Sequence, residues 1–147
     1  MRLLIVIPVF LATVGGFHST PPTRLVFAPL IPHIERSFSQ QTIGPEFVAF
    51  ADKFTATALE RWPARKSPQL APVESVMLCP WSKAVGLHGY SIRVQLDSLV
   101  GRNAVARYEI SCTGERPRGG FATGEVVQLR LRNRQWSVWK VIDRRIT

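Results

Sequence analysis

The chain has 147 residues, a length that suits one domain able to bury roughly two-thirds of its unfolded surface. Hydrophobic residues at 46% and charged residues at 20% exclude wholesale disorder and a polytopic membrane protein. The net charge is +9, and fifteen of the nineteen cations are arginine, whose planar fork suits phosphate and carboxylate; a genome rich in G and C produces the same bias.

Residues 1–16, MRLLIVIPVFLATVGG, place one positive charge, Arg2, before an uncharged apolar run that ends in small residues. That is the pattern of a signal peptide, with Val14 three positions before a cut at Gly16. A retained anchor is the competing reading, but the run is shorter than the ~18 residues of a spanning helix and Pro8 interrupts it. It holds no cysteine, which excludes a lipoprotein anchor. The expected location is therefore periplasmic or extracellular, and the mature chain, with 18 basic against 10 acidic side chains, has no transmembrane span.

Residues 17–33 hold Pro21, Pro22, Pro29 and Pro32 and are expected to form an extended arm, because each proline lacks an amide hydrogen and restrains its predecessor. A single α+β domain is expected over residues 34–147. Its first element is a short helix in HIERSFSQQ, with Ile34 and Phe38 on one side. Residues 45–62, PEFVAFADKFTATALERW, carry Phe47, Phe50, Phe54, Ala58 and Trp62 at spacings of three and four, which predicts the main amphipathic helix and assigns the stripe to the core. Pro63 ends it, and PARKSPQLAP follows as a linker.

Strands are expected from there on: VESVML at 73–78, YSIRVQLD at 90–97, and NAVARYEISC ending at Cys112. TGERPRGG, residues 113–120, reads as a flexible basic loop. In an oxidising compartment Cys79 and Cys112 most simply form a disulfide, with two buried thiols as the alternative. The cysteines and the three histidines lack metal-ligand spacing, so no metal is expected. No motif for a cofactor, a serine nucleophile or a phosphate-binding loop occurs, and no cofactor is expected.

EVVQLRLRNRQWSVWKVIDRR, residues 125–145, predicts a closing hairpin. A two-residue turn at Asn133 and Arg134 sets Leu131 opposite Trp136, Leu129 opposite Val138 and Val127 opposite Lys140 on the core side. Arg130, Arg132 and Trp139 then share the other face, close enough for a guanidinium to stack on the indole, whereas a turn one residue longer would exchange Trp136 and Trp139 between the faces. Residues 116–147 contain eight basic side chains against Glu125 and Asp143. This face is either a solvated surface that discourages edge pairing or a contact site for an anionic polymer or acidic protein surface, with nucleic acid as the second choice. The candidate binding residues are Arg107, Arg130, Arg132, Trp139 and Arg144.

One helix followed by an antiparallel meander ending in RNRQWSVWKVIDRR resembles the cystatin-like and nuclear-transport-factor-2-like cone folds over residues 45–145. The resemblance implies a curved sheet of four to five strands and a pocket between helix and sheet, used in some relatives for catalysis and in many for binding or assembly. It suggests an alternative as a small-molecule-binding protein or enzyme, with His88 or Asp97 at the pocket mouth. A third reading is a small inhibitor or immunity protein. Pro80 and Trp81 match the Pro-Trp loop of protease-inhibiting cystatins, but their Q-x-V-x-G loop is absent. The leading expectation is an exported, non-enzymatic binding or assembly module.

Overall fold

A computed structural model describes residues 23–63, 65–115 and 119–146. The expected signal segment, the start of the proline-rich arm, and Arg116 and Arg118 lie outside the described residues. The elements run α1 (Thr23–Phe27), α2 (Leu30–Ser39), β1 (Phe47–Phe50), α3 (Lys53–Ala58), β2 (Gln69–Leu70), β3 (Gly89–Val100), β4 (Asn103–Cys112), β5 (Phe121–Arg132) and β6 (Gln135–Ile146). The fold is α+β, with one six-stranded sheet in the order β2-β1-β3-β4-β5-β6. β3 to β6 form an antiparallel meander, whereas β1 runs parallel to both β2 and β3.

The described part of the arm is helical rather than extended. Pro29 caps α2 and Pro32 is its third residue, where an amide hydrogen has no partner within the helix and its loss costs little. Leu30, Ile31, Ile34 and Phe38 are buried, a stripe turned to the sheet. Phe38 stacks on Tyr90 with ring centroids 5.6 Å apart, and the Ser37 hydroxyl lies 3.1 Å from that of Tyr108. The long helix of the domain is therefore α2.

The helix expected over 45–62 divides in two. Its first half is β1, where Val48, Ala49 and Phe50 are all buried, as in a strand covered on both faces. Phe47 donates its amide to the His88 carbonyl at 3.0 Å, and Ala51 to that of Ile92 at 2.8 Å. Only after Asp52, whose carboxylate accepts from the Thr55 amide at 2.7 Å, does α3 begin. Phe50, Ala58 and Trp62 stay buried, but Phe54 is 46% exposed. Residues 73–78 also differ from expectation: Glu74 has φ 67°, Ser75 turns back to bond Pro72, and only Leu78 makes isolated bridges, to His88 and Thr113.

The helices cover the side of the meander that carries Ala104, Ala106, Tyr108 and Ile110; among the described residues no helix lies on the other side, here called the open face. Phe27, Leu30, Ile34, Leu59, Tyr90 and Ile92, each fully buried, fill the space between the layers. Cys79 and Cys112 form a disulfide that ties the segment before β3 to the end of β4.

Asn133 and Arg134 have φ 49° and 63°, the left-handed pair that a two-residue hairpin turn of the I′ type requires. Leu131 faces Trp136 and Leu129 faces Val138, but Val127 faces Val141 instead of Lys140. The reason is a bulge: Trp139 has no opposite residue on β5, and Ile142 repeats the irregularity three residues later.

Candidate functional site

From Val127 onward β5 alternates, so Val127 and Leu129 are buried in the core while Gln128, Arg130 and Arg132 turn to the open face. The bulge sets Trp139 beside them. Arg130 Cζ lies 3.8 Å from the centroid of the indole and Arg132 Cζ 4.9 Å from it. Each stack contributes about 0.5–1 kcal/mol at a solvent-exposed site. Trp139 remains 47% exposed.

Stacking occupies the flat face of a guanidinium and leaves its in-plane N–H donors free. Among the described residues neither Arg130 nor Arg132 has a carboxylate within ion-pair distance; Arg130 Nε is buried and unpartnered, which leaves the terminal Nη groups to meet an anion. Two like charges held side by side repel, and an anion shared between them removes that cost. Lys140, opposite Gln128, adds a third cation to this face.

The other two candidate arginines do not join them. Arg107 faces the same way from β4, but Asp97 accepts from its Nε at 3.0 Å and from its Nη2 at 2.7 Å. This hydrogen bonding and the adjacent carboxylate charge raise the Arg107 pKa and neutralise the pair. Arg144 points to the opposite side of the sheet. The two bulges of β6 shift its alternation twice, and the shifts cancel, so Arg144 stands opposite Glu125 and donates to it at 2.9 Å.

Glu125 was legible in the sequence only as a counter-charge, yet it anchors a polar cluster beneath α2. His33 Nδ1 lies 3.4 Å from Glu125 Oε2, and Tyr108 stands across the β4–β5 ladder. Burial, assisted by the Glu125 charge, pushes the Tyr108 hydroxyl pKa up to about 12, although its bond with Ser37 works the other way. No local sequence pattern marks this cluster, because its members come from four elements.

His88, just before β3, and Asp97, within it, stand nine positions apart, about 30 Å in an extended chain, so they are not brought together. His88 Nε2 is 2.9 Å from the Ala84 carbonyl, and Asp97 is held by Arg107 on the open face. Among the described residues no cluster of three or more His, Cys, Asp or Glu could hold a metal ion, and no helix is long and apolar enough to cross a membrane. No protein-family model, curated protein or solved structure matches this chain.

Proposed function

We propose that this protein is an exported, non-enzymatic binding or assembly module that meets an anionic polymer or an acidic protein surface through the open face of β5 and β6. The observation that carries this reading is the pair of arginines stacked on one exposed indole, neither with an ion-pair partner among the described residues. Stacking orders both side chains before a partner arrives, so less side-chain entropy is lost on contact. A disulfide is compatible with export, since it persists in an oxidising compartment. The relation to cone folds belongs to the same proposal: α2 against the meander β3 to β6 supports it, whereas the parallel β1 and β2 fall outside that pattern.

Retention on a sulfated-polysaccharide matrix tests the face. R130E/R132E should elute at clearly lower salt than the parent chain with an unchanged thermal transition. K53E/K66E changes net charge equally at residues away from the face and should elute close to the parent. Equal losses in both variants would reduce the interaction to net charge. Export is tested by the exported fraction: a chain starting near residue 17 agrees with cleavage, and a membrane-held chain with its leader contradicts it.

A further inference from the structure

A second feature lies around the edge of the same hairpin. Gln135, Trp136, Ser137 and Val138 all line one groove of about 520 Å³. Alternate residues of a strand point to opposite faces, so four consecutive ones line one groove only if it runs along the strand's edge. β6 is the last strand of the sheet, and among the described residues no strand lies beside this edge. The bulges at Trp139 and Ile142 disturb the rest of the edge, which discourages pairing there. The regular part is the part that faces the groove.

The backbone of that part is turned outward. Leu131 donates its amide to the Arg102 carbonyl at 2.9 Å, away from β6. Opposite residues in an antiparallel ladder either exchange hydrogen bonds or both turn away. Trp136, opposite Leu131, therefore directs its N–H and C=O into the groove.

The other wall is formed by Leu25, Ala28, Pro29 and Pro32 of α1, α2 and their connection. Three arginines from separate elements, Arg36, Arg61 and Arg134, converge on the groove, and no Asp or Glu lines it. None of the three has an ion-pair partner among the described residues. A second copy of this chain fits poorly, since each copy is strongly cationic, with 18 basic against 10 acidic side chains after residue 16.

We propose that this groove receives an extended acidic segment of a partner protein, which adds to the sheet as a strand beside Gln135 to Val138 and sets its carboxylates against Arg36, Arg61 and Arg134. Main-chain bonds to the strand edge give affinity, and the arginines select for acidic side chains. The site is separate from the Arg130–Trp139 face and does not depend on it.

The probe is an alternating Glu-Val peptide, compared with a peptide of equal charge carrying proline at alternate positions. The first should bind, slow the hydrogen exchange of the Trp136 amide, and lose at least about tenfold in affinity to R36E/R61E but not to R130E/R132E. The proline peptide, unable to form the ladder, should bind at least about tenfold more weakly. Equal binding of both peptides overturns strand addition in favour of charge attraction alone. Loss confined to R130E/R132E moves the peptide to the open face, and self-association of the protein that protects the Trp136 amide assigns the groove to a second copy. Absence of binding to the parent chain overturns the proposal outright.

Discussion

Trp139 has no opposite residue on β5, and its indole supports two guanidinium groups at 3.8 and 4.9 Å. Because half of its surface is exposed, its value lies in ordering the arginines rather than in filling the core. Trp139→Ala should therefore lower unfolding free energy by only about 1–2 kcal/mol, the worth of its two stacks, while weakening polyanion binding about two- to fivefold, as parallel denaturation and binding curves would reveal. The two tyrosines behave differently from exposed phenols. Burial raises the pKa of Tyr90, and that of Tyr108 rises to about 12 from 10.0. A raised folded-state pKa stabilises the fold fully below the unfolded value and is lost as pH climbs through the folded one. Tyrosinate absorbance should thus be small at pH 10 and emerge together with unfolding as pH approaches 12; ordinary titration near pH 10 would show both phenols to be solvated.

At the scale of the element, the junction of β1 with β3 is the tightest constraint in the sheet. A Cβ added at Gly89 would stand 1.7 Å from the Phe47 carbonyl oxygen, so Gly89→Ala must push the two strands apart. A loss of about 3 kcal/mol in denaturant unfolding is expected, with faster amide exchange at Phe47, whereas Gly44→Ala, where a Cβ meets nothing within 4 Å, should be nearly neutral. This same junction explains why β1 was hidden in the sequence. Phe47, Phe50, Phe54, Ala58 and Trp62 have helical spacing, but Val48, Ala49 and Phe50 form a continuous apolar run, and a strand buried on both faces loses the alternation that would reveal it. The hairpin was legible for the opposite reason: β5 is buried on one face alone, and its polar and apolar residues report their sides. The bulge at Trp139 was not legible, since nothing in WSVWKV distinguishes an extra residue from a paired one.

Across the whole molecule, helices cover one side of the sheet, and Arg130, Arg132 and Lys140 stand together on the other. The disulfide closes a loop with a sequence separation of 33, which in the chain-entropy model contributes about 4 kcal/mol. Cys79→Ala combined with Cys112→Ala should lower unfolding free energy by about that amount, and reductant should lower the melting temperature of the parent chain but not of the double variant. The pairing was readable from cysteine number alone, as was the α+β class from the order of patterns along the chain. The convergence of Arg36, Arg61 and Arg134 on one groove was not, because helix packing against the edge of β6 sets it and no local pattern encodes that contact. The partner of Arg144 was equally hidden: alternation alone places it on the helix side, but the two bulges move its register by two residues and set it against Glu125.

On the proposed function, an anionic partner sits on the open face of β5 and β6. The four tryptophans offer a direct reading of it, through the indole N–H resonances of the isotope-labelled protein titrated with a sulfated polysaccharide. Trp139 should shift, while the buried Trp62 and Trp136 and the equally exposed Trp81 hold still. A titration in which Trp81 moves and Trp139 does not would contradict the account.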